Sequence, residues 1–252
     1  MFPFTDTAPR AAFPVVTLTL ILINTMVFLW MVSLPPRALD TLLTHAALVP
    51  IRYTEPNVAR HAGLDPSNWW PLITNTFMHG GWLHLISNMW FLWIFGPAME
   101  ARFTRVGFAF LYVAGAVAAS LVHVFTHPSS VDPALGASGA IAAIIGAHAL
   151  TYPSARVITV VLLGFIPLFF PLPAALFAVI WFALQLVQGS IELATPHMAS
   201  SVAWWAHVGG FVFGALFAIA ASDFGAHRPV RTRTWVQPQR RHVPTIRPRN
   251  WG

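Results

Sequence analysis

Charged side chains leave six long gaps in this chain, and those gaps limit its possible folds more than any other feature. Residues 11–36, 66–99, 106–131, 133–155, 157–191 and 193–222 contain no Asp, Glu, Lys or Arg. All six are rich in Leu, Val, Ile, Phe or Trp. A helix needs about 20 apolar residues to cross a hydrocarbon core roughly 30 Å thick, and every gap is long enough. Lipid offers backbone N–H and C=O groups no partner, so a spanning segment is a helix or part of a closed barrel. These runs do not alternate apolar with polar residues, which predicts helices. Only 9% of the residues are charged, against about 25% in a soluble domain. The expected fold class is an all-α membrane protein with six transmembrane helices. The first apolar stretch is too long for a signal-peptide core, and no clear small-residue cleavage site follows it, so it is expected to stay as a span. Cysteine is absent, which excludes a disulfide scaffold, a thiolate metal site and a cysteine nucleophile.

Arginine sets the expected orientation, since all fourteen basic side chains are Arg. With the N-terminus in the cytoplasm, eleven of them fall on inside segments: Arg10, Arg102, Arg105, Arg156 and seven in the C-terminal stretch. The others, Arg37, Arg52 and Arg60, share the first outer loop with Asp40, Glu55 and Asp65. The positive-inside rule therefore predicts both termini in the cytoplasm. Three zones follow: a cytoplasmic N-terminus at 1–12, a six-helix membrane domain at 13–222, and a basic, disordered cytoplasmic tail at 223–252. The tail supplies the net charge of +6. It is expected to be solvated and to enforce topology, with anionic lipid as its candidate partner; nucleic acid is not expected as a partner. The first outer loop, about 35–81, holds Trp69 and Trp70 among several prolines, with Trp82 just beyond. Interfacial aromatics of this kind predict a loop partly embedded in the outer leaflet. The run from Val157 to Pro171 is cut by Pro167 and Pro171, so it is expected to form an interfacial cytoplasmic stretch, with the fifth span starting near Leu172.

Polar groups inside a membrane are functional candidates. The second span carries His84 and Asn88, one helical turn apart on one face. The fourth opens with Gly-Ala-Ser-Gly-Ala centred on Ser138, and the sixth carries His207 after Trp204 and Trp205. All three spans enter from the same side, so the four groups are expected within roughly 10 Å of one depth. Gly139, Ala143, Gly146 and Ala147 in the fourth span, and Gly210, Gly214 and Ala218 in the sixth, allow backbones to approach closely. That packing would bring Ser138 beside His207. A serine needs a base, and histidine is the usual one. No span interior offers an Asp or Glu as a third member, so a Ser–His dyad is expected. Ser138 at a helix N-terminus would have free N–H groups beside it for an oxyanion, with Asn88 and His84 as further donors. Each residue alone is more simply read as structural; their coincidence at one depth favours serine hydrolysis. A transporter or proton channel could also use intramembrane histidines, but it would be expected to show paired repeats or charged spans.

The wording and order of these segments resemble the rhomboid intramembrane serine proteases over about residues 68–220. The resemblance rests on Phe-Met-His-Gly-Gly-Trp-Leu-His-Leu-Ile-Ser-Asn-Met at 77–89, Gly96 and Glu100, Gly-Ala-Ser-Gly-Ala at 136–140, and Trp-Trp-Ala-His-Val-Gly-Gly-Phe at 204–211. It implies an endopeptidase that cuts transmembrane segments of single-span membrane proteins near the outer leaflet, entered laterally between spans two and five. Ser138 would be the nucleophile and His207 the base. His84, Asn88 and the Ser138 N–H would form the oxyanion hole, and Gly136 would shape the turn before the serine. No cofactor and no metal are implied. His79, His123, His127 and His148 are read as structural. The alternative is a rhomboid-like binder of membrane helices that does not cleave, which an intact Ser138 and His207 disfavour. One departure stands out: Ala142 occupies the position where many members carry an aromatic against the catalytic histidine, so something else must hold His207. The expected setting is a multi-pass protein of a bacterial inner membrane.

Overall fold

A computed structural model describes residues 2–11, 13–163, 165–195 and 202–223. The basic tail predicted at 223–252 lies outside the described residues, Asp223 excepted. The described residues are mostly helical, with one small sheet. Strand β1 (Phe2–Asp6) leads to helix α1 (Val15–Ser33). The segment predicted as the first outer loop folds into short helices α2 (Pro36–Ala46), α3 (Ile51–Thr54), α4 (Pro56–His61) and α5 (Pro71–Thr74), followed by a 3₁₀ turn at Asn75–Phe77. Helix α6 (Trp82–Thr126) and helix α7 (Ser138–Thr151) come next. Strands β2 (Arg156–Leu163) and β3 (Ile166–Pro173) precede α8 (Ala174–Ala194) and α9 (Trp204–Asp223).

The helices α1, α6, α8 and α9 are each long and apolar enough to cross a membrane, and α7 is a shorter apolar helix. Several helices of this length and apolarity fit a multi-pass membrane protein. Helix α6 is two helices meeting at Thr104, whose φ of 67° lies in the left-handed region. A β-branched residue seldom adopts it, so the backbone is strained where the two halves join. Helix α7 sits at the centre, packed on α6, α8 and α9. Every residue from Gly139 to Ala149 is buried.

The packing of α7 on α9 follows from side chains that are missing. A Cβ built on Gly214 would lie 2.7 Å from the Cα of Ala143 and closer still to its carbonyl. One built on Gly210 would strike the carbonyl of Gly139. Apolar side chains gain nothing by leaving lipid for another helix, so close contact between backbones holds such pairs together.

Helix α1 begins after Pro14 with no capping side chain of its own. Glu100 of α6 supplies the cap. Its carboxylate accepts from the N–H of Val16 at 3.0 Å, the N–H of Thr17 at 2.9 Å and the hydroxyl of Thr17 at 2.9 Å. An anion on free N–H groups at a helix N-terminus is well placed. Glu100→Ala would leave those buried donors without an acceptor. It should cost about 2–4 kcal/mol, seen as an earlier unfolding midpoint in detergent, with Glu100→Gln in between. An unchanged midpoint would remove this bridge from the list of what holds α1.

The sheet corrects one expectation. The segment predicted to be an interfacial stretch is a β-hairpin, in which β2 pairs antiparallel with β3 from Arg156↔Pro173 to Leu163↔Ile166. The following helix starts at Ala174, close to the start expected near Leu172. Val157, Ile158, Thr159, Val160 and Val161 are all β-branched residues, which favour strands. Pro167 and Pro171 lie on β3, an edge strand, where a missing N–H need cost no ladder bond. The other edge is β1, drawn from the predicted cytoplasmic N-terminus. Asp6 then buries its carboxylate against the body of the domain. Its Oδ1 accepts from the N–H of Ala8 at 3.0 Å, and its Oδ2 lies 2.8 Å from Nε2 of His148.

The segment from α2 to α5 has a small core of its own, Val49, Ile51, Ala59 and Leu64. Trp69, Trp70 and Trp82 are exposed. Leu48 and Ala134 exchange backbone hydrogen bonds of 3.0 and 2.8 Å. This loop therefore braces the segment that leads into α7.

Candidate active site

The chain turns into α7 at Gly136. Its φ of +129° is one that side chains rarely adopt, and its N–H donates to the carbonyl of Asn75 at 2.9 Å. A Cβ here would lie 2.7 Å from Nε2 of His84 and 3.6 Å from Nδ2 of Asn88. Glycine thus allows the turn and also lets the backbone lie against both side chains. Ser138 is the first residue of α7, as the sequence predicted. It is half-buried, with exposed Val131, Asp132 and Pro133 shortly before it.

His207 lies in the first turn of α9 and is buried. Its Nε2 lies 2.7 Å from Oγ of Ser138. Two residues 69 apart in sequence are thus in hydrogen-bond contact, brought together by the glycine packing of α7 on α9. Asn88 is buried in α6, and its Nδ2 has no hydrogen-bond partner among the described residues. A buried donor without an acceptor is costly, so this amide is ready for an acceptor that arrives from outside. His84 lies one turn before it, half-buried.

Sequence reasoning missed one member. Gln185 of α8 is buried, and its Oε1 lies 2.8 Å from Nδ1 of His207. The usual third member is an acid; the sequence signal for Gln185 is a polar amide within an apolar run. The support expected from the position of Ala142 comes instead from tryptophans. The rings of Trp181 and Trp204 each lie with centroids 5.9 Å from that of His207, one tilted at 35° and the other edge-on at 88°. Of the histidines read as structural, His148 pairs with Asp6 at 2.8 Å. His79 lies 5.2 Å from the ring of His84, and His123 stacks on His127 at 4.8 Å.

A family model for the Rhomboid domain matches residues 66–224. The chain belongs to the rhomboid family. This rhomboid is 31% identical over 157 residues to Rhomboid protein 1, mitochondrial, of Saccharomyces cerevisiae, covering 58% of the chain and 40% of that protein. It is 33% identical over 99 residues to Rhomboid-like protein 11, chloroplastic, of Arabidopsis thaliana, covering 38% of the chain and 35% of that protein. It is 35% identical over 79 residues to Rhomboid protease GluP of Bacillus subtilis, covering 31% of the chain and 15% of that protein. The rhomboid thus spans less than half the length of these curated relatives.

Proposed function

We propose that this rhomboid is an intramembrane serine endopeptidase that cleaves transmembrane segments of single-span membrane proteins near the outer leaflet. The observation that carries the reading is the 2.7 Å contact between Ser138 Oγ and His207 Nε2 at the mouth of a buried helix. Six spans are proposed: α1, the two halves of α6 on either side of Thr104, α7, α8 and α9. The arginine distribution puts both termini in the cytoplasm. The all-arginine, alanine-rich composition favours a bacterial inner membrane. The first outer loop is proposed to lie partly in the outer leaflet through its exposed tryptophans, and the basic tail beside anionic lipid.

The chemistry is acyl transfer. A substrate helix enters between the first half of α6 and α8 and unwinds near Ser138. As Ser138 Oγ attacks the peptide carbonyl carbon, its proton passes to His207 Nε2. The carbonyl oxygen becomes an oxyanion, held by Nδ2 of Asn88, the ring of His84 and the N–H of Ser138 at the start of α7. Gly136 keeps the approach to this pocket open. His207 then protonates the departing amine as the C–N bond breaks; water from the outer side, deprotonated by His207, attacks the acyl carbon, and His207 returns that proton to Ser138 Oγ as the acyl bond breaks.

A serine-directed fluorophosphonate probes this reading directly. In liposomes, the protein should cleave a test transmembrane helix, and mass spectrometry should map one phosphonyl adduct to Ser138. Labelling at another residue, or cleavage that persists after complete labelling, would sink the assignment. Substrate that co-purifies without being cut would favour a binder that does not cleave. Asn88→Ala should lower kcat about 100-fold with KM little changed, because the lost donor acts on charge that forms only in the transition state. Equal loss in kcat and in substrate affinity would instead assign Asn88 to substrate binding.

A further inference from the structure

We propose that Gln185 is a positioning residue, whose side-chain oxygen accepts the Nδ1–H of His207 and fixes the tautomer able to take the serine proton. This rests on the protease reading above and deepens it. The starting point is a buried amide, only 6% exposed. Such a group has to find partners on both its ends. Its Nε2 donates to the carbonyl of Trp181 at 3.1 Å. A carbonyl only accepts, so the nitrogen end of the amide has to face Trp181. The oxygen end then faces Nδ1 of His207, at 2.8 Å.

The oxygen also only accepts, so Nδ1 carries the proton. A neutral imidazole holds one proton, which leaves the lone pair on Nε2, 2.7 Å from Oγ of Ser138. The reverse tautomer would set two lone pairs against each other at Nδ1 and leave Nε2 unable to act as a base. A backbone carbonyl on α8 thus dictates, through one amide, the proton position on a ring of α9. Once His207 takes the serine proton, Nδ1–H keeps the same acceptor. The support comes from a dipole, and an amide avoids the cost of an ionised carboxylate at membrane depth.

The rest of this α8 face agrees. Trp181, Gln185 and Gly189 are spaced four apart and so lie along one side of the helix. Trp181 lies beside the His207 ring, and the carbonyl of Gly189 accepts from Nε1 of Trp205 at 3.1 Å. A Cβ on Gly189 would come within 2.9 Å of that nitrogen. The ring of the base is therefore oriented from α8, while Ala142 leaves that task undone on α7.

The test uses full-length protein in detergent micelles with ¹⁵N-labelled histidine. Nitrogen chemical shifts report which ring nitrogen is protonated, and His207→Asn identifies the His207 signal. The parent should show Nδ1–H. Gln185→Met keeps the volume but removes the acceptor; it should shift His207 toward Nε2–H and lower kcat roughly 10- to 100-fold with KM unchanged. Gln185→Glu keeps an acceptor oxygen in place and should recover most of that loss. A parent in the Nε2–H form overturns the proposal whether or not the variants fold. So does a Met variant with unchanged tautomer and kcat, or a Glu variant no better than Met. If the parent cleaves no test helix, the protease reading fails while the nitrogen shifts still decide the role of Gln185.

Discussion

Ser138→Ala should reduce cleavage of a transmembrane substrate in liposomes by roughly 10⁴-fold or more, while the unfolding midpoint stays close to that of the parent. The two halves of this expectation have separate causes. Removing Oγ deletes the atom that forms the acyl bond, and no cysteine is present to replace it. What remains is orientation and the oxyanion donors, which in serine hydrolases keep a small residual rate. Stability should hardly move, because Oγ makes its contact with His207 at the half-buried mouth of the site. Alanine is also a good residue in the first turn of a helix. Following product by mass, and unfolding by a thermal scan, separates these effects. Equal cleavage by parent and variant would discard Ser138 as nucleophile. Lost cleavage with a large drop in midpoint would make the serine structural instead.

Gly214→Val should stop the protein from folding to its native packing. The Cβ alone would overlap the backbone of Ala143, with the carbonyl carbon of that residue 2.5 Å away. Backbone cannot swing aside as a side chain does, so α9 would have to separate from α7 along its length. The same surface includes Gly146 of α7, where a Cβ would strike the carbonyl of Phe211. Destabilisation of about 3 kcal/mol or more is expected from overpacking on this scale. It should appear as poor yield in detergent and a lowered midpoint, with loss of activity following from the fold. A Val variant with the parent's midpoint would show that α9 can shift outward freely, which would undermine the account of how Ser138 and His207 meet. Leu216 of α9 is exposed; Leu216→Val, on the same helix, should be tolerated and serves as the control.

Much of the site was legible because it depends on local pattern. Ser138 lies at the N-terminus of α7, as the sequence predicted, and His207 follows Trp204 and Trp205 at the start of α9. The meeting of Ser138 with His207 could be anticipated from small residues at helical spacing. What stayed hidden was non-local, or lay in residue types not searched. Asp6 finds His148 at a separation of 142 residues, and nothing in the sequence near Asp6 announces a buried partner. The β-hairpin was concealed within a stretch that Pro167 and Pro171 mark only as interfacial; the β-branching from Val157 to Val161 is its signal. The break at Thr104 has no Gly to mark it, yet the charged residues from Glu100 to Arg105 between two apolar gaps already divide the chain there. Gln185 was passed over because an orienting group was sought among acids, although an amide can accept the same proton.

Helix α7 carries a further consequence through its length. Fourteen residues at about 1.5 Å each give roughly 21 Å, against a hydrocarbon thickness of roughly 30 Å. In contact with lipid, such a shortfall would deform the bilayer or tilt the helix. Here the other helices wrap α7, and the shortfall takes on a different meaning. Under the proposed function the helix would act as a measuring rod, footed at one face of the membrane with the nucleophile on its other end. On the proposed reading, where a substrate is cut is gauged in ångströms of depth before any of its side chains is inspected. A helix that presents an unwound stretch at another height would pass the site uncut, however well its sequence suited the pocket.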